Sequence, residues 1–215
     1  MTSIASPTQV LNKQADPTSI DGRTDGFYVL DGQKMYRIDS FDRMRPFLMS
    51  IVSESDLWMF LSSTGGLTAG RVNEDRAIFP YVTDDLLHKC HRVTGPITLL
   101  RVHDDRANES VLWEPFAPEL SSKSVRRNLY KNAMGNRVIF EEVNQQLGLR
   151  FQYQWCNSDE FGFVRSCILE NQSDREIQVD VLDGVLNVLP AGPELGTQQR
   201  EIGRASCRER VCVPV

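Results

Sequence analysis

From Gly26 onward the chain breaks into short apolar or alternating runs separated by turn residues, and no segment carries an amphipathic 3.6-residue stripe over several turns. That pattern restricts the fold more than any single motif. In EIQVDVL (Glu176–Leu182) the alternation is strict, placing Ile177, Val179 and Val181 on one face and Gln178, Asp180 and Leu182 on the other. A period of two belongs to a strand with one buried face. FYVLDGQKMYRI (Phe27–Ile38) is two runs around Asp31-Gly32, a dipeptide suited to the positive φ of a tight hairpin. FLMSIV (Phe47–Val52) and LWMFLS (Leu57–Ser62) flank a Ser-Glu-Ser-Asp connection of the same kind. AIFPYV, ITLLRVH, SVLWEPF, RVIFEEV, LRFQYQW and FGFVRSCILEN continue the series to Asn171. The best helical candidate, SKSVRRNLYKNAM (Ser122–Met134), lacks an apolar face. Short strands without crossover helices predict an all-β fold, an antiparallel sandwich or barrel.

With 40% hydrophobic residues over 215 positions the chain can bury a sizeable core. No apolar run is long enough to span a bilayer as a helix. A net charge of −5 argues against nucleic acid as the main partner, since phosphate binding relies on clustered Lys and Arg. The first 24 residues are rich in Ser, Thr, Pro and Asp and read as a flexible lead-in. They lack the basic start and apolar core of a secretion signal, so the expected compartment is the cytoplasm. Cys90, Cys156 and Cys167 show no paired spacing and read as reduced thiols.

Few residues group as chemistry would require. His88-Lys89-Cys90-His91 concentrates possible metal ligands, but beyond it there is only the isolated His103. Zinc sites need about four ligands, so the group reads as a loop with incidental His and Cys, and no metal is expected. The pairs Asp84-Asp85, Asp104-Asp105, Glu141-Glu142 and Asp159-Glu160 read as solvated turns and edges. Glycosidase-like work needs two carboxyls facing each other, and neighbours in a strand point to opposite faces. SSTGGLTAG (Ser62–Gly70) follows the strand LWMFLS and precedes Arg71, Asn73, Asp75 and Arg76. Such a loop could meet a sugar, whose hydroxyls need hydrogen bonds and whose C–H faces suit aromatic rings. The simpler alternative is that Gly65-Gly66 makes a hairpin or bulge. The carbohydrate-binding candidates are Trp58, Gly65, Gly66, Arg71 and Trp113.

The stretch RPFLMSIVSESDLWMFLSSTGGLTAGRVNEDRAIFPY resembles the opening of the N-terminal domain in cellobiose-phosphorylase-like proteins. LWEPF (Leu112–Phe116) is similar to that family's Trp-x-Pro element. LGLRFQYQWCNSDEFGFVRSCILENQSDREIQVDVLDGVLNVLPAG is similar to its later strands and their Leu-x-Asn-x-Ser turn. The resemblance covers about Phe27 to Gly192. It implies a β-supersandwich related to galactose-mutarotase-like domains, followed in the family by a helical linker and an (α/α) barrel. In the family the barrel carries the catalytic acid, and inorganic phosphate is the co-substrate in the phosphorolysis of β-glycosides. It implies an oligosaccharide or disaccharide as the partner of the full-length protein, a possible homodimer, and no catalytic residue or cofactor in the part present here. Two features depart from the family: no aromatic follows the glycines of Thr64–Thr68, and the connection TDDLLHKCHRVTGP differs. Two further readings stand beside this one. The first is a stand-alone sandwich that binds glycans or partners. The second is a mutarotase-like enzyme, for which only His88, His91 and His103 are available.

EIGRASCRERVCVPV (Glu201–Val215) has no strand alternation, helical stripe or turn chemistry. Apart from the first base, the back-translation of residues 201–211 looks like the constant region of a common short-read sequencing adapter; a sample index would encode the rest of Cys212, Val213 and Pro214, and Val215 falls where that reading frame reaches a stop. Residues 201–215 are therefore expected to be non-biological, which removes Cys207 and Cys212 from redox consideration. They carry three Arg and two Glu, so without them the charge goes from −5 to −6. Residues 25–200 are then expected to be a partial β-supersandwich, incomplete at its C-terminus and poorly soluble because strand partners are missing.

Overall fold

In the computed structural model, residues 25–30, 32–104, 109–118, 124–190, 194–197 and 200 are described, and strands dominate them. The lead-in, residues 1–24, the loop tip after Asp104 and the tail, residues 201–215, lie outside the described residues. The strands are β1 (Gly26–Leu30), β2 (Gln33–Asp39), β3 (Leu48–Ile51), β4 (Leu57–Ser62), β5 (Leu67–Arg71), β6 (Ala77–Phe79) and β7 (Gly95–Asp104). After them come β8 (Glu109–Trp113), β9 (Val125–Asn132), β10 (Arg137–Asn144), β11 (Leu149–Ser158), β12 (Gly162–Asn171) and β13 (Gln178–Leu186). One short helix, α1 (Asp84–Leu87), separates β6 from β7.

All pairings are antiparallel, and they form three sheets ordered β1-β2-β9-β10-β11-β12, β3-β4-β5-β6 and β13-β7-β8. One face of the six-stranded sheet packs on the other two sheets through a shared apolar core. Leu129, Val138, Phe140, Phe151 and Trp155 meet Met59, Leu61, Leu67, Leu100 and Trp113 there. The chain is an all-β antiparallel sandwich. No helix among the described residues is long and apolar enough to cross a membrane.

The hairpin at Gly32 forms as its sequence requires, with Gly32 at φ 74° and Leu30 opposite Gln33. Two segments differ from the sequence reading. VRRNLYKN is strand β9 rather than a weak helix. Its alternation puts Arg127 and Leu129 on the core face and Asn128 and Tyr130 on the other. LTAGR, within the presumed glycine loop, is strand β5, because small residues let it lie against its neighbours. A Cβ on Gly70 would sit 2.6 Å from the Trp58 ring and 2.7 Å from Ala77 Cα. The alternation in β13 is only half used. Val179 packs on the core, whereas Val181 and Leu182 are 57% and 66% exposed on the sheet edge.

The pair Glu141-Glu142 departs furthest from expectation, because both carboxylates are buried. They point to opposite faces of β10, as neighbours in a strand must. Glu141 accepts hydrogen bonds from Asn128, Tyr130 and Gln152 on the outer face. Glu142 faces inward, and its partners lead to the site described next.

Candidate functional site

A cavity of about 240 Å³ opens where the Ser63–Gly65 turn meets the core face of the six-stranded sheet. Its walls are aromatic: Phe41, Phe116, Phe140 and Tyr153. Ser63, Thr64, His88, His91 and Arg127 are polar lining residues, and exposed Asp42 also borders it. A recess of about 40 Å³ adjoins it, sharing Thr64, Gly65, His91, Phe116 and Tyr153. Phe140 and Tyr153 come from paired positions on β10 and β11 and stack at 4.8 Å with 10° between planes. Phe116 meets Tyr153 edge-on at 5.2 Å.

Glu142 anchors this wall from behind. It is fully buried and accepts hydrogen bonds from Trp113 Nε1 (2.8 Å), the Phe116 backbone N–H (2.6 Å) and Arg127 Nε (2.8 Å). Those three donors, one of them cationic, compensate a carboxylate that burial alone would disfavour. The bond to Phe116 holds that residue at φ 66°, a left-handed conformation rare for a bulky side chain. The strained backbone turns the Phe116 ring into the cavity wall. Arg127, 6% exposed, spends Nε on Glu142 and Nη2 on the Ala117 carbonyl (2.6 Å). Its Nη1 has no hydrogen-bond partner among the described residues.

The opposite wall is the connection through α1. A Cβ on Gly66 would lie 2.5 Å from the Leu87 carbonyl, and one on Gly95 2.8 Å from the Gly65 carbonyl. These two glycines let the segment after α1 close onto the turn. That contact brings His88 Nδ1 to 2.8 Å from Ser62 Oγ, which is also 2.7 Å from Thr64 Oγ1. The Thr64 hydroxyl donates to the His88 carbonyl at 3.0 Å, and the Thr64 N–H donates to Ser62 Oγ at 3.0 Å. His91 presents a buried Nδ1 with no partner among the described residues. Burial pushes the Tyr153 hydroxyl far above the ordinary phenol range, with the Arg165 charge opposing, so it stays a neutral O–H group.

Of the five residues expected to bind carbohydrate, Gly65 lines the cavity, at φ 97° with Tyr153 Oη 3.7 Å from where a Cβ would lie. Gly66 seats α1 beside it. Trp113 is buried behind the wall, where its indole N–H serves Glu142. Trp58 lies on the outer face of the four-stranded sheet, its ring against Phe60 and Tyr81 and its Nε1 donating to the Asn73 carbonyl. Arg71 forms an exposed ion pair with Asp56. The structure therefore separates Trp58 and Arg71 from the cavity. His88 and His91, read from sequence as incidental, both line it. Arg127 and Tyr153 went unnoticed because strands hide which face a residue takes until register is known, and Phe116 because it lies in the turn after β8, oriented by its left-handed backbone. No protein-family model matches the chain, and no curated protein matches it significantly.

Proposed function

We propose that the chain is a non-catalytic carbohydrate-binding sandwich, and that its cavity holds one pyranose ring. The observation that supports this is the unspent polar inventory inside an aromatic chamber. Arg127 Nη1 is a donor, Tyr153 Oη both donor and acceptor, and two imidazoles add nitrogen atoms. Sugar rings present that mixture, with hydroxyls around the rim and C–H groups on the faces. The inner wall points the same way, because Glu142 neutralises Arg127 and leaves no lone buried charge there, Asp42 lying exposed at the border. A volume of about 240 Å³ is below the roughly 300–1,000 Å³ of drug-sized pockets, which suits a single ring rather than an extended chain.

The resemblance to cellobiose-phosphorylase-like proteins gives this binding a setting. In that reading the domain belongs to a longer carbohydrate-active protein, and phosphorolysis with inorganic phosphate is the work of another domain. The cavity draws His88 and His91 from TDDLLHKCHRVTGP, the connection that departs from the family. Its sugar preference is accordingly expected to differ from that of cellobiose-specific relatives.

Titration calorimetry of the full chain with D-glucose, D-galactose, D-mannose and cellobiose tests the reading. A single ring held by a few hydrogen bonds should bind with Kd near 1 mM, about −4 kcal/mol. Phe116→Ala and Tyr153→Leu should each weaken it. Absence of binding to every sugar by correctly folded protein would refute the proposal.

A further inference from the structure

The hydroxyl relay beside His88 has only one proton arrangement that satisfies all of its hydrogen bonds. Thr64 has one hydroxyl proton, and it goes to the His88 carbonyl, which can only accept. The bond between Ser62 Oγ and Thr64 Oγ1 therefore uses the Ser62 proton. Ser62 then has no proton left for His88, so the 2.8 Å contact requires a proton on Nδ1. Ser62 Oγ accepts that proton and the Thr64 N–H, which fills its two lone pairs. Each proton of the relay is used once. Ser62 itself is fully buried, so water does not compete for the arrangement.

From this we infer that neutral His88 is locked as the Nδ1–H tautomer and offers Nε2 as the cavity's fixed hydrogen-bond acceptor, making it a specificity-determining residue that selects ligands presenting a hydroxyl donor. His88 lines the cavity, and its Nε2 has no partner among the described residues. Arg127 Nη1 can only donate, so the two groups impose opposite demands on a ligand. A hydroxyl meets either one, whereas an ether or methyl group cannot satisfy Nε2. Ser62, which does not line the cavity, and Thr64, which does, act as positioning residues: they fix which nitrogen carries the proton. The choice of a sugar as the hydroxyl bearer rests on the proposed function, while the tautomer does not.

Two measurements separate these parts. Long-range 1H–15N NMR of the ligand-free chain reads the His88 tautomer directly. The Nδ1–H form is expected, and Ser62→Ala should return the ring toward the Nε2–H form preferred by free imidazole side chains in water. An Nε2–H ring in the unmodified protein would overturn the inference. The second measurement titrates monodeoxy and mono-O-methyl derivatives of D-glucose into the unmodified chain and His88→Phe. One position should cost about tenfold in affinity in the unmodified chain and less than about twofold in the variant, as for a neutral hydrogen bond. Equal losses in both proteins at every position would also overturn it. An Nδ1–H ring in a protein that binds no sugar would end the carbohydrate reading and support the acceptor assignment.

Discussion

Replacing Glu142 with leucine should be among the most damaging single changes available to this chain. Leucine approximates the volume but accepts nothing, so Trp113 Nε1, the Phe116 N–H and Arg127 Nε lose their partner together. Removing one member of a buried ion pair costs about 3–5 kcal/mol, because the remaining charge is left uncompensated. Two neutral donors would each add about 1–3 kcal/mol if left dry, but the losses overlap, and a total near 5 kcal/mol is the reasonable expectation. Domains have only about 5–15 kcal/mol of stability, so Glu142→Leu should sit at the edge of unfolding. Glu142→Gln is the measurable companion, since it keeps an acceptor oxygen and should cost about half as much. Urea denaturation followed by tryptophan fluorescence gives both values, and a slope of about 2–3 kcal/mol/M turns 2.5 kcal/mol into a midpoint shift of roughly 1 M. Arg127→Met with Glu142→Leu should recover part of the loss, because no lone charge remains. A Glu142→Leu protein within about 1 kcal/mol of the parent would show that the carboxylate does not organise the wall.

Three further outcomes follow from separate parts of the fold. Gly66→Ala should destabilise by about 2 kcal/mol, roughly 5 °C in Tm, since its Cβ would meet the Leu87 carbonyl at 2.5 Å. Gly26→Ala, with nothing within 4 Å, should change Tm little, and calorimetry compares the two. Asp183 is partly desolvated, which opposes its ionisation, yet hydrogen bonds from Arg165 and Thr98 and the Arg165 charge hold its carboxyl below the ordinary value of 3.8. Its contribution to stability is therefore present above pH 4 and lost as the pH falls through the lowered value. Stability measured from pH 5 to 2 should fall less steeply in Asp183→Asn. Although Cys167 is exposed overall, partial desolvation of its thiol, opposed by the Arg165 charge and reinforced by Asp183, pushes it up to about 11 from 9.0. Its alkylation at pH 7, followed by peptide mass spectrometry, should be of the order of a hundred times slower in native protein than in urea.

The fold class was legible because strand alternation and turn residues are local signals. LWMFLS became β4 without adjustment, and Asp31-Gly32 marked its hairpin. The two missed strands failed for opposite physical reasons. VRRNLYKN has few apolar residues because one face of β9 serves a buried polar network and the other carries Arg127 to Glu142. LTAGR has small residues because Trp58 and Ala77 press against Gly70. In both, tertiary surroundings replaced the apolar alternation on which local reading depends.

The cavity was less legible than the fold for a reason that also bears on its function. Its walls come from positions 41, 64, 88, 116, 127, 140 and 153, and no short window contains more than a few of them. Gly65-Gly66 was the one local mark that lies at the cavity, and its role was left open. Gly65 borders the cavity, whereas Gly66 supports α1, so two adjacent glycines serve the site in different ways. Trp58, a few residues before the loop, faces outward from its sheet, and Trp113 lies behind the cavity wall, because sequence alone does not determine facing. Trp113 nevertheless matters through its link to Glu142, which fixes the left-handed Phe116 and orients Arg127. A buried carboxylate that strains a wall residue is costly for folding alone, since an apolar triad of similar shape would serve as well or better. Its presence is understandable if the geometry of Phe116 and the free edge of Arg127 are what the arrangement maintains. On that argument Trp113→Phe should lower sugar affinity through Phe116 and Arg127, even though the indole never touches the ligand. A Trp113→Phe protein that binds sugar as tightly as the parent would make Glu142 a structural group with no hold on the site.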